Sequence, residues 1–367
     1  MAELPRLRRE RFADLPGWGD DDPAEAFAAF RRSAFRVLEK PYRTGSLGIA
    51  SDDFSPVFEE ARRTRQASAG QARAFFERHF VPFLIAQGTG DQGLVTGFYE
   101  PVSAASLERT DEFRFPLYGR PDDLVDVDDT NRPAGWDPYF AFGRRAGQGI
   151  VEYFDRGEIE RGALAGRGLE LAWLADPVDV FFIHVQGAAR LRLPDGSERR
   201  ITYAAKSGHP FTGAGRVLVE KGELAADKVT MQSIRAWFRE HPDRVDEILW
   251  QNRSFIFFKE APVDDPALGP IAAAKVPLTP GRSIAVDRLV HTFGTPFFIE
   301  APALDAFGTR GFRRLMIAQD TGSAIVGPAR GDLFAGSGQA AGEIAGVIKH
   351  PASFHILVPA PAAERFA

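Results

Sequence analysis

The chain has 367 residues, 44% hydrophobic and 26% charged, with a net charge of −5 and no cysteine. Those proportions indicate a globular protein of two or three domains rather than a disordered one. The acidic balance argues against nucleic acid as the main partner, because phosphate binding needs a basic face. The missing cysteines exclude disulfides, thiolate metal sites and thiol nucleophiles. The first residues, MAELPRLRRERFADLPGW, contain no apolar stretch of signal type, and no run approaches membrane-spanning length. This fits a cytoplasmic protein or one whose targeting segment lies outside this sequence.

Helical signals come first. Asp22-Pro23-Ala24-Glu25 combines an N-cap, a first-turn proline and a capping-box acid, predicting a helix to about Lys40. Ser55-Pro56 starts a second, and Ala69–Ile85 has apolar residues at helical spacing. From Gly93 the pattern turns to strands. GLVTGFYEP, VDVFFIHVQG, ARLRL and RRITYAA read as strands, and Pro194-Asp195-Gly196-Ser197 reads as a hairpin turn. Asp155-Arg156-Gly157-Glu158 caps a short helix that Gly162 can end, and VTMQSIRAWFREHPDRVDEILWQN returns to helix. From Ser254 the chain is again β: SFIFFKE, RSIAVDRLV, PFFIEA, RRLMIAQ, SAIVG and FHILVP, interrupted by one helix, Gln339–Lys349. The expected architecture is α+β, mainly β with flanking helices. Residues 1–101 and 226–367 form one domain, and 102–225 an inserted β domain. A groove between two such domains is a common ligand site.

Chemistry concentrates in LMIAQDTGSAIVGPARGDLF, Leu315–Phe334. An apolar run ends on Asp320, and a following loop is expected to deliver Asp332. Aspartate beside glycine is an ordinary turn residue. Two of them within twelve positions, each just past an apolar run, suit acid–base work on a sugar or peptide bond. Asp320-Thr321-Gly322-Ser323 also matches the aspartic-protease signature, but those enzymes need two such loops and this chain has one. Asp287 is a third strand-end acid, read as structural. Gly336-Ser337-Gly338 lacks the spacing of a phosphate loop. The seven histidines show no metal spacing, His184 reads as a core or edge residue of a strand, and no serine-nucleophile elbow is present.

The ordered set Thr96-Gly97-Phe98-Tyr99-Glu100-Pro101, Val185-Gln186-Gly187, Tyr203-Ala204-Ala205-Lys206-Ser207-Gly208-His209, Gln251–Phe258, Val286-Asp287-Arg288, Gly294-Thr295-Pro296 and Asp320–Ile325 resembles the membrane-bound lytic murein transglycosylase A family. The resemblance covers most of the chain beyond Gly93. It implies a double-psi β-barrel ending in a 3D domain, named for three aspartates, with a smaller inserted β domain and a groove between them. It implies non-hydrolytic cleavage of the β-1,4 bond from N-acetylmuramic acid to N-acetylglucosamine in peptidoglycan, leaving 1,6-anhydromuramic acid ends. The three aspartates fall on Asp287, Asp320 and Asp332, with Asp332 catalytic. Tyr99, Gln186 and Lys206 are expected to contact substrate.

Two departures stand out: Arg330-Gly331 where the family often has His-Phe before the catalytic Asp, and Phe293 where a Pro often precedes Gly-Thr. The expectation is a monomer without metal or cofactor, acting on glycan strands in the periplasm, possessing none of the lipid-anchor Cys found in many relatives. The competing readings are a two-acid glycoside hydrolase on murein, an aspartic protease and a non-catalytic glycan-binding protein.

Overall fold

The computed structural model describes residues 5–65, 67–86, 92–137, 139–308 and 310–366. The chain forms two compact units, Met1–Tyr99 with Asp265–Ala367, and Glu100–Asp264.

In the first unit, helix α1 (Ala24–Arg36) begins where the Asp22 carboxylate accepts the Ala24 N–H at 3.0 Å. Its buried face, Phe27, Phe30 and Ala34, recurs at helical spacing. Helices α2 (Ser55–Arg63) and α3 (Ala69–His79) close over it with Phe58, Phe75 and Phe76. The rings meet at centroid distances of 4.9 Å for Phe30–Phe58 and for Phe27–Phe75. The helix expected to run to Ile85 stops at His79, and Phe80–Ala86 is a strand. The run FVPFLI carries β-branched and aromatic residues, and Pro82 has no N–H for a helical bond.

Six strands form the framework: β1 (Gly93–Glu100), β2 (Ser283–Val286), β3 (Pro296–Ala301), β4 (Phe312–Asp320), β5 (Arg330–Ser337) and β6 (Lys349–Pro359). They hydrogen-bond in the order β6-β3-β4-β2-β5-β1, and β1 pairs back onto β6, so the ring closes. Closure leaves no free edge within the ring. Strands β2 and β4 are parallel, while β2 and β5 are antiparallel. Phe297, Phe298, Leu315, Met316, Leu333 and Ile356 are fully buried in the core. Gln319 ties β4 to the helical layer, donating to Ala29 O at 2.8 Å and Ser33 Oγ at 2.9 Å while accepting from Ser283 Oγ at 2.6 Å.

The second unit holds a four-stranded sheet ordered Ile256–Ala261, Glu198–Lys206, Ala188–Arg192 and Val102–Ala104. Glu198–Lys206 and Ala188–Arg192 form the expected hairpin, with Gly196 at φ 84°. This unit runs beyond residue 225 because Ile256–Ala261 pairs with Glu198–Lys206, and Trp237 and Leu249 share a core with Phe181. Three local readings differ from the structure. VDVFFIHVQG is a helix, Pro177–Gln186, started by the Asp176 carboxylate on Val178 N–H at 2.7 Å and ended by Gly187 at φ 75°. Its apolar residues are buried almost all round, which hides helical periodicity. SAIVG is a turn, closed by Ile325 N–H on Gly322 O at 3.0 Å. The last helix ends at Ala345, and Lys349 already belongs to β6.

Candidate active site

Ala285 of β2 is the register partner of Asp320 on β4 and also of Asp332 on β5. The two acids therefore flank one strand. With strands about 4.8 Å apart, their Cα atoms lie roughly 10 Å apart. The pairing with β4 is irregular here: its register slips by one residue between Ile284 and Ala285, which brings Asp320 rather than Gln319 opposite Ala285. Asp332 was expected in a loop and is instead the third residue of β5, held by the ladder. Asp320 is the last residue of β4.

Asp287 lies two positions beyond Ala285. Its carboxylate accepts Leu289 N–H at 2.9 Å and Gly327 N–H at 2.8 Å, joining the turn after β2 to the turn before β5. Both its oxygens are engaged by backbone.

The other two acids are not neutralised. Asp320 accepts one N–H from Ala273 at 3.1 Å. Burial pushes its carboxyl up to about 6, with the Asp332 charge adding to the rise and the Thr321 and Ala273 amides and Lys275 opposing it. Asp332 accepts the Thr96 hydroxyl from β1. Thr96 in turn accepts from the Arg330 guanidinium at 2.8 Å. Burial raises the Asp332 carboxyl above the ordinary range, against the pull of the Thr96 hydrogen bond and the Arg330 charge. A buried carboxyl that holds its proton above the ordinary carboxylate range is suited to exchange it with a reacting oxygen.

Tyr99 is buried, and its ring packs within about 3 Å of where a Cβ on Gly342 would sit. Gln186 and Lys206 belong to the second unit. Gln186 ends the helix Pro177–Gln186. Lys206 Nζ reaches the Tyr139 hydroxyl at 3.2 Å and lies 4.4 Å from its ring centroid. The structure thus gathers Asp287, Asp320 and Asp332 at one end of the parallel and antiparallel pairs of β2.

Thr96 and Arg330 are the contacts that the sequence did not single out. Thr96 reads as an ordinary strand residue, and Arg330 only as a departure from a pattern. His184 is buried, with Nδ1 2.9 Å from Arg156, in the core of the second unit. Among the described residues no cluster of three or more His, Cys, Asp or Glu is arranged to hold a metal ion.

The sequence matches the MltA specific insert domain over residues 94–259 and the 3D domain over residues 282–358. The membrane-bound lytic murein transglycosylase A of Escherichia coli (strain K12) is 34% identical over 287 residues, spanning 76% of this chain and 69% of that protein. The chain belongs to the membrane-bound lytic murein transglycosylase A family. A crystal structure of a membrane-bound lytic murein transglycosylase from Agrobacterium tumefaciens is similar at 52% identity and TM-score 0.93, covering 99% of this chain and all of that one. MltA from Neisseria gonorrhoeae is similar at 34% identity and TM-score 0.79, covering 96% and 92%. E. coli MltA with bound chitohexaose is similar at 27% identity and TM-score 0.71, covering 98% and 96%. The sheet-rich fold with several helices is that of these lytic murein transglycosylase A structures. No described helix of this family member is long and apolar enough to cross a membrane.

Proposed function

We propose that this lytic murein transglycosylase cleaves the β-1,4 bond from N-acetylmuramic acid to N-acetylglucosamine with Asp332 as its single acid–base, leaving 1,6-anhydromuramic acid ends. The observation that carries the reading is the Asp332 carboxyl: fixed in a strand, raised by burial and contacted by one hydroxyl. Chitohexaose bound to a relative supports a glycan substrate.

In this mechanism protonated Asp332 donates to the glycosidic oxygen as the bond to C1 breaks. The muramic acid C6 hydroxyl closes on C1, and the Asp332 carboxylate takes the hydroxyl proton, restoring the acid. No water is consumed, because the nucleophile is tethered to the sugar it attacks. Asp320 stands across Ala285 from Asp332, and Asp287 fixes the two turns. Gln186 and Lys206 contact glycan, the latter presenting an ammonium stacked on Tyr139, and Tyr99 supports the site from its packing on Gly342. The closed six-stranded ring fits a double-psi barrel, and residues 265–367 with the N-terminal part form the catalytic domain. On this reading the protein works in the periplasm, where its substrate lies, with outer-membrane association in keeping with its family's membrane-bound members, and it acts as a monomer.

A hydrolase using Asp320 and Asp332 together is the second reading, favoured by their adjacency across Ala285. Mass spectrometry of digested murein separates the two. Anhydromuropeptides support transglycosylation, and reducing muramic acid ends overturn it.

A further inference from the structure

A cavity of about 310 Å³ in the first unit has no part in the chemistry above. Five cations line it, Arg36, Lys40, Arg43, Lys275 and Arg288, and no acid does. That is a marked local excess in a chain of net charge −5. Arg36 is partly matched: it donates to Lys40 O at 3.3 Å and lies 3.6 Å from Glu39, whose side chain is 77% exposed at the rim. Among the described residues Lys40, Arg43, Lys275 and Arg288 have no ion pair or side-chain hydrogen bond. Lys275 lies within reach of the Asp320 charge, which leaves Lys40, Arg43 and Arg288 to repel one another, and an anion between them relieves that repulsion.

The cavity is built from the turns that hold the acids. Lys275 sits at φ 61°, the one described non-glycine residue with positive φ. It is held there by its own N–H on Ala272 O at 2.9 Å and by Ala274 N–H on Gln319 O at 3.0 Å, against β4. Such a conformation costs on the order of 1 kcal/mol and persists only where the surroundings impose it. The same turn gives Ala273 N–H to Asp320. Arg288 follows Asp287, whose carboxylate fixes that second turn. Tyr42 forms a wall, donating to Ala274 O at 2.9 Å, and its ring stands edge-on to Phe293 at 5.9 Å. The turns that line the cavity therefore also give backbone N–H groups to Asp320 and Asp287, and the cavity combines cations with an aromatic wall.

We propose that this cavity receives the free carboxylates of the stem peptide carried by the muramic acid on which Asp332 acts. The proposal rests on the glycan-cleaving reading above. The N-acetyl sugars are uncharged, and the lactyl carboxyl of muramic acid is neutral while it is amide-bonded to the peptide, so on an intact strand the anions are those of the peptide. That peptide carries several carboxylates, and charge-assisted bonds to such groups are the strong ones. The volume lies at the lower end of ligand sites, roughly 300–1,000 Å³, which suits a short peptide segment. The chain thus discriminates peptide-bearing from stripped glycan.

The test compares kcat/KM on soluble peptide-bearing glycan strands with kcat/KM on the same strands stripped by an amidase, which leaves one lactyl carboxylate per muramic acid in place of the several carboxylates of the peptide. The wild type is expected to prefer the peptide-bearing strands. In the triple variant Lys40→Gln, Arg43→Gln, Arg288→Gln the ratio falls about tenfold, chiefly through KM on the peptide-bearing strands, while Arg288→Lys alone keeps it. Unchanged melting temperature verifies that the triple variant folds. A wild-type ratio near one, or a triple variant that slows both substrates equally, overturns the proposal. So does inorganic phosphate inhibiting both substrates alike, which marks a general anion site. Failure to release anhydromuropeptides from either substrate overturns instead the activity on which the proposal rests.

Discussion

Glu100 and Asp332 are both linked to strand β1, and their surroundings differ in kind. Glu100 ends that strand and is fully buried, but Arg190 Nε reaches it at 2.8 Å, and Arg200 Nε and Nη2 at 2.6 and 3.2 Å. Two guanidiniums thus surround one carboxylate. Asp332 takes from the same strand only the Thr96 hydroxyl, with Arg330 one atom further away. The first carboxylate belongs to the second unit, as do both of its arginines. The second is left with a proton affinity that burial has raised. On the proposed reading, the carboxylate that moves a proton differs by incomplete charge compensation, not by burial alone.

That contrast can be broken at either end. The largest expected effect is at Asp332. Asp332→Asn should reduce murein turnover on the order of a thousandfold, the scale of general acid–base catalysis, with the melting temperature nearly unchanged; a sedimented-murein release assay and thermal unfolding read the two. Glu100→Gln should do the opposite. It leaves Arg190 and Arg200 buried without their counter-charge and should lower unfolding free energy by about 3 kcal/mol or more. Urea unfolding checks this, and an unchanged midpoint would mean that the pair of guanidiniums finds other partners.

A smaller effect belongs to Asp320. Its folded carboxyl is raised from the model-peptide value of 3.8 to about 6. The folded state therefore holds the proton more tightly than the unfolded state, and stability falls as pH rises from about 4 to about 6. Asp320→Asn removes this dependence. Allowing for partial exposure, the variant should gain about 1 to 2 kcal/mol relative to wild type between pH 4 and pH 7, measured by unfolding at both pH values. The smallest effect is at Thr96. Its hydroxyl favours the charged form of Asp332, so Thr96→Val should raise that carboxyl further. The alkaline limb of the pH–rate profile then moves upward, with a loss of about 1 kcal/mol in transition-state stabilisation from the missing hydrogen bond.

The sequence displays the strands of the barrel well, because residues such as Phe297–Ile299 and Leu315–Ala318 are continuous apolar runs bounded by turns. It displays Asp320 at a strand end and Asp332 as a loop acid, but neither the strand that holds Asp332 nor the relation of the two. The common partner Ala285 appears only once the parallel and antiparallel pairings of β2 are known. The same limit hides Thr96 and Arg330, which reach the acid from positions 236 and two residues away through the ladder between β5 and β1. Where apolar residues are buried on every side, as in Pro177–Gln186, periodicity carries no signal and only the Asp-Pro start and glycine stop mark the helix. The strand Phe80–Ala86 was obscured in the other direction, its apolar spacing continuing that of α3 across a change of backbone conformation at Phe80, φ −128° and ψ 158°.

The central claim is that one carboxyl, Asp332, handles the proton in both halves of the reaction. Digestion of murein by Asp332→Asn and Asp320→Asn side by side, across pH 4 to pH 8 with the anhydromuropeptides quantified by mass spectrometry, tests it most directly. The account predicts release by Asp332→Asn reduced on the order of a thousandfold at every pH, and a much smaller reduction by Asp320→Asn with a shifted pH profile. Substantial release by Asp332→Asn, or loss by Asp320→Asn as complete as that of Asp332→Asn, would contradict it.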